Sequence, residues 1–272
     1  MGIVYACIAP HGSEAIPELA GDKLEAFSET RRGMEELGKQ MKKHNPDTIV
    51  IATPHGLRLD QTIGIVTSQY SAGKLEDKGK SVSARFKCNR QLAQRIYQNA
   101  KKVGLPVVAA NYGTSGGPDS CMPMDWGVLV PLWFFGAQEK KKPQIIVVTP
   151  SREIPLTKLV EFGKVVAQAA EKSNKKIAFV ASADEGHAHD KNGPYGFHPA
   201  SKEYDELVIR AIKENNVKQI LTLDQQFVED AKPDSLWQIA ILAGVLESVH
   251  MKGRFVSYQV PTYFGLMCAD FE

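Results

Sequence analysis

IVYACIAPHG (Ile3–Gly12) and TIVIATPHG (Thr48–Gly56) share one pattern: an apolar run rich in β-branched residues, closed by Pro-His-Gly. Near-continuous apolarity, rather than strict alternation, marks a strand covered on both faces, as in a parallel sheet. Further runs of the same kind are Val107–Ala110, Ile145–Thr149 and Ile177–Ala181. Between them, Lys23–Lys43, Asn89–Val103 and Leu156–Lys172 carry apolar residues at helical spacing, and Ser201–Glu214 and Leu236–Val249 follow as later helices. Strands alternating with helices predict a single α/β domain over residues 1–272, doubly wound, with a mostly parallel sheet flanked by helices.

In such a sheet each histidine of a Pro-His-Gly element leaves a strand at its carboxyl end, where open α/β sheets bind ligands. Proline fixes the backbone before His11 and His55, and glycine leaves space after them. Two imidazoles delivered to one edge by neighbouring strands are a natural beginning for a metal site, which also needs a carboxylate from later in the chain.

Composition sets the frame. The 272 residues are 43% hydrophobic and 24% charged, enough for a sizeable core. The net charge of +2 is scattered, and Lys140–Lys142 reads as a solvated turn, so nucleic acid is not an expected partner. The four cysteines, Cys7, Cys88, Cys121 and Cys268, form no C-x-x-C pair, which argues against a disulfide framework or zinc knuckle. No apolar run approaches a membrane span, and the amino terminus lacks a secretory pattern, so a reducing, cytoplasmic setting is expected. Two segments stand apart from the strand–helix rhythm. Tyr70–Lys87 is polar and reads as a projecting hairpin or loop; Asn111–Met124 is rich in Gly, Ser and Pro, a candidate functional loop over the pocket.

A second cluster follows the run Ile177–Ala181. Three of the seven histidines crowd into residues 187–198, within SADEGHAHD (Ser182–Asp190) and GPYGFHP (Gly193–Pro199). His187 is the candidate for chemistry, since a neutral imidazole near a metal can take a proton from a bound hydroxyl and return it. Asp184 or Glu185 would orient or charge it. His189 and Asp190 read as solvated loop residues.

These segments, with Tyr204-Asp205 and DWGVLVPL (Asp125–Leu132), resemble the class III extradiol ring-cleavage dioxygenases. They are nearest the catalytic beta subunit of protocatechuate 4,5-dioxygenase, with the Memo-like proteins as non-dioxygenase relatives. The resemblance covers Ile3 to Val249. It implies a non-haem Fe(II) held by His11, His55 and one carboxylate, with His187 as acid–base, a small catechol-like aromatic and O2 as substrates, and a homo-oligomer of two or more chains. Zn(II) suits the same ligands. The carboxylate lies in EDAKPDSLWQ (Glu229–Gln238): Asp234 is first, with Glu229 and Asp230 as alternatives, and Asp234 also suits a helix N-cap. Trp126, Tyr195 and His198 are expected to contact substrate. The chain departs from the family at Trp126, where a second active-site histidine is usual; tryptophan transfers no proton but can stack on an aromatic ligand.

A zinc hydrolase and a non-catalytic Memo-like binding protein are the rival readings. Nucleotide binding and serine hydrolysis are disfavoured: neither G-x-G-x-x-G after the first strand nor a P-loop occurs, and GTSGG (Gly113–Gly117) does not supply the G-x-S-x-G of a strand–helix turn.

Overall fold

The apolar runs become strands. A computed structural model describes residues 1–272. In chain order the elements are β1 (Gly2–Ala9), α1 (Pro17–Ala20), α2 (Ser28–His44), β2 (Thr48–Ala52), β3 (Ile63–Val66), β4 (Tyr70–Asp77) and β5 (Lys80–Lys87). Then come α3 (Arg90–Lys102), β6 (Val107–Ala110), β7 (Cys121–Pro123), α4 (Trp126–Leu132), β8 (Gln144–Pro150), α5 (Leu156–Glu171) and β9 (Lys176–Ser182). The chain closes with α6 (Pro199–Lys213), α7 (Gln225–Ala231), α8 (Leu236–Ser248), β10 (Gly253–Gln259) and β11 (Leu266–Phe271). No helix is long and apolar enough to cross a membrane.

The main sheet has eight strands in the order β10-β11-β1-β9-β2-β8-β3-β6. The pairs β1/β9, β9/β2, β2/β8 and β3/β6 are parallel, while β10/β11, β11/β1 and β8/β3 are antiparallel. All five residues of β2 are buried. Alternate side chains enter opposite layers: Ile8, Val50 and Ala52 join a core with α3, α5, α6 and α8, whereas Cys7, Ile49 and Ile51 face α2 and α4. Both faces are therefore covered, as the sequence predicts for a doubly wound, mostly parallel sheet.

Three expectations need correction. β1 and β2 are not neighbours; β9 lies between them, so the two Pro-His-Gly elements flank a third strand end. The helix expected from Lys23 begins at Ser28, because Leu24 faces solvent at 45% exposure and no apolar stripe passes through that turn. Tyr70–Lys87 does form a hairpin, but it pairs with β7 from the Gly-rich segment in a second, three-stranded sheet, and neither segment lines the central cavity.

Candidate metal centre

Pro10 ends β1 and His11 follows it, buried, its backbone N–H donating to Asp184 Oδ1 at 2.8 Å. The His11 ring is fixed from behind. Its Nδ1 lies 3.0 Å from the Ser182 hydroxyl at the end of β9, and that hydroxyl donates its only proton to the Gly127 carbonyl. Ser182 must accept from Nδ1–H, so in the neutral ring the Nε2 lone pair faces the crevice. A second partner that sets the tautomer in this way is characteristic of metal-ligating histidines.

His55 reaches the same point from β2. Gly56 continues the chain at φ +79°, where a Cβ would collide with the Asp125 carboxylate, so the turn requires glycine. Gly127 has the same role on the opposite wall, since a Cβ there would press on Thr53 and on the His55 ring. The third arm arrives just before α8. Asp234 Oδ1 accepts from the Asp184 backbone N–H at 2.9 Å, an interaction that ties the α7–α8 connection to the end of β9. Asp234 is not the cap of α8; that position is Ser235.

The three donor atoms form a triangle. His11 Nε2 and His55 Nε2 are 3.1 Å apart, His11 Nε2 and Asp234 Oδ2 3.3 Å, and His55 Nε2 and Asp234 Oδ2 3.5 Å. Ligands about 2.1 Å from one ion are separated by roughly 3.0 Å on an octahedral face and roughly 3.4 Å on a tetrahedral one, within about 0.1 Å of the range of these distances. Charge balance agrees. Asp125, Asp184 and Asp234 are three carboxylates around two imidazoles, and Asp125 Oδ1 is buried with no hydrogen-bond partner. A divalent cation would offset that excess, so the residues present fit a metal ion.

Without a cation the cluster holds a proton instead. Burial lowers the proton affinity of His11, but Asp184 and then Asp234 outweigh it and push the ring up to about 9. Burial opposes ionisation of Asp234 too, yet His11 and hydrogen bonds from both histidines keep it well below the usual carboxylate range. Burial pushes Asp184 up to about 6.

His187 stands beside this triangle. One of its ring nitrogens and carboxylate oxygens of Asp184 and Asp234 all lie within 4.8 Å of one another. Its Nδ1 is 2.7 Å from the Glu185 carbonyl and must donate to it, which leaves Nε2 free to accept a proton. The ring stacks on Phe264, centroids 5.4 Å apart and planes at 16°. Glu185 thus orients His187 through its backbone; its side chain turns away and accepts from Ser235 at 2.6 Å, where burial pushes its carboxyl well above the usual range. Asp184, expected to serve His187, faces it and also lies against His11, Oδ2 3.3 Å from Nε2.

The remaining expected residues divide. Trp126 packs on His55, centroids 4.3 Å apart, with 46% of its surface exposed. Tyr195 meets the His187 ring edge-on at 5.8 Å and is half-exposed. His198 is not brought to the cluster: its Nδ1 caps α6 by accepting from Ala200, and it faces Asp230 at 3.9 Å. Glu229 and Asp230 lie on α7 and accept from Gln225 and Gln226, so neither joins the donor triangle. His189 bonds the buried Asp205 at 2.8 Å, a structural tie. Sequence reasoning missed Ser182 altogether, and missed the contact of Asp184 with His11 while placing it beside His187. Their signal was placement alone, in a third strand end equivalent to the two Pro-His-Gly elements.

A family model described as the catalytic LigB subunit of aromatic ring-opening dioxygenase matches residues 5–267. The chain belongs to this family. As a member of the LigB family it is also 28% identical, over 253 residues, to Protein CA_C1420 of Clostridium acetobutylicum, a match covering 93% of this chain. The chain spans about half of that relative, 54% of its length. The crystal structure of uncharacterized protein JW3007 from Escherichia coli K12 shares the LigB-type fold, with TM-score 0.61, 15% identity and coverage of 98% of this chain and 99% of that one.

Proposed function

We propose that this LigB-family chain is a metal-dependent extradiol dioxygenase that opens the ring of a catechol-like aromatic with O2, using Fe(II) held by His11, His55 and Asp234. The observation that carries this reading is the convergence of two imidazole Nε2 atoms and a carboxylate on one point, with the accepting nitrogen of His187 beside it. Two histidines and a carboxylate on one face suit Fe(II) oxygen chemistry and leave positions open for substrates. The bound ion would supply Lewis acidity and a one-electron route between diol and O2 that side chains lack.

The protein's own groups do the rest. His187 Nε2 takes a proton from a substrate hydroxyl, and the resulting imidazolium is steadied by Asp184 and Asp234. The same nitrogen returns the proton as the ring opens. Phe264 and Tyr263 wall off this side of the site and keep water from the reacting ring. Trp126, over His55, offers an aromatic face on the opposite side.

The test is oxygen uptake by the Fe(II)-loaded protein with a panel of catechols. Uptake with a yellow ring-fission product is expected, and His187→Gln should lower kcat by about 10²–10⁴ with metal content unchanged. No uptake with any catechol rejects the reading. The packing of Trp126 against His55, in place of the family's usual histidine, favours a second reading, a ligand-binding protein without turnover. Under that reading catechols bind the metal-loaded protein and are released unchanged.

A further inference from the structure

The cavity that contains His55, His187 and Asp234 is far larger than the donor triangle requires. Its volume is about 820 Å³. Pockets of roughly 300–1,000 Å³ enclose drug-sized ligands, whereas one dihydroxylated ring is much smaller. Away from the triangle the wall is mixed: Ile154, Leu156, Leu223, Val228, Leu236 and Trp237 give it an apolar stretch, with Glu153, Gln225, Glu229 and Lys232 also lining the cavity. The apolar residues come from the loop after β8, the start of α5, the segment entering α7 and α7 itself, and the first turn of α8. No mechanistic step described above uses this half of the cavity.

At its mouth stands a guanidinium that makes no ion pair, although Asp234 acts on it at longer range. Arg152 lies over the Trp237 ring, 4.8 Å from its centroid, and the indole N–H donates to the Arg152 carbonyl at 2.9 Å. The stacking fixes the side chain, yet none of its five N–H donors meets a carboxylate or carbonyl of the protein; the ion pairs and side-chain hydrogen bonds of the molecule do not include this group. Arg58, three residues after His55, is close enough to repel it and is likewise without an anionic partner. An oriented, unpaired guanidinium fork is matched by a carboxylate.

We infer that the apolar stretch of this cavity, ending at Arg152, is a second subsite, and that the site takes a catechol bearing a ring-sized apolar substituent with a carboxylate at its far end. The catechol part of this inference rests on the ring-opening reading; the subsite itself does not.

Anaerobic calorimetric titration of the metal-loaded protein separates the two. The probes are catechol, 3,4-dihydroxybiphenyl, 3′,4′-dihydroxybiphenyl-4-carboxylate and the methyl ester of that acid. The biaryl carboxylate should bind at least tenfold tighter than catechol. Arg152→Leu, at an exposed position that leaves the fold intact, should cut the carboxylate-to-ester affinity ratio about tenfold. Leu223→Trp, which fills the apolar stretch, should lower the biaryl-to-catechol ratio at least fivefold. Equal affinity for catechol and the biaryls, or equal loss for acid and ester in Arg152→Leu, overturns the subsite. Oxygen uptake with the same compounds then tests the other reading separately. The binding pattern without uptake sinks ring opening and keeps the subsite; uptake with catechol and no preference for the biaryl acid does the reverse.

Discussion

At the scale of residues, the centre of the donor triangle holds a proton whenever it holds no cation. His11 keeps that proton up to a pH of about 9, because Asp184 and Asp234 outweigh its burial. A metal must displace it, so affinity is weakest where His11 is charged and grows as pH rises through the folded value. Zn(II) affinity measured by competition with a chelating dye should therefore increase by about tenfold per unit from pH 7 towards 9 and level off above. Below pH 6, protonation of Asp184 should steepen the dependence. An affinity that is flat between pH 7 and 9 would contradict this. Ser182 gives a second handle. Ser182→Ala releases the His11 tautomer and should weaken metal binding by about 10–100-fold, although the ligands themselves are untouched; an unchanged affinity would mean that the serine only fills space. His11 and His55 were legible in the sequence because each ends an apolar run in the same three residues. The choice among Asp234, Glu229 and Asp230 was not, since it depends on which carboxylate reaches across from another loop. Asp184 was legible as a partner of His187 through sequence adjacency, but its contacts with the His11 backbone and ring were not, because they cross between two strand ends.

At the scale of elements, the site depends on close packing behind it. α8, which follows Asp234 directly, is buried along almost its whole length and crosses α5 where Gly163 and Gly244 meet. A Cβ on Gly244 would collide with the Val160 carbonyl, and one on Gly163 with the Ile241 carbonyl. Neither neighbour is a flexible side-chain end. Gly244→Ala should therefore cost about 1–3 kcal/mol through overpacking and lower the thermal midpoint by several degrees. A midpoint equal to that of the native chain would show that the helices can separate freely. The sequence revealed the elements with strong, uninterrupted periods: β1, β2, β6, β8, β9 and the helices α3, α5, α6 and α8. It hid β3, which is only four residues long, and the pair β10 and β11. Polar Arg254 and Asp270, which bond each other across that pair at 2.7 Å, break the apolar run by which a strand is recognised.

At the scale of the whole molecule, the site exists because the chain visits the sheet out of order. β9 inserts between β1 and β2, and the three strand ends deliver His11, Ser182 with Asp184, and His55 to one edge. α4 and the loop before α8 close over them with Gly127 and Asp234. That order could not be read from spacing, which is why the sequence suggested neighbouring strands and a simpler crevice. Family membership adds the expectation of ring-opening chemistry, and the shared edge is the physical basis for it. The most direct measurement is anomalous diffraction at the iron edge from anaerobic crystals of the Fe(II)-loaded protein. One anomalous peak, about 2.0–2.2 Å from His11 Nε2, His55 Nε2 and an Asp234 oxygen, is the predicted result. A peak elsewhere, or none with the two imidazoles turned away from a common centre, would contradict the account.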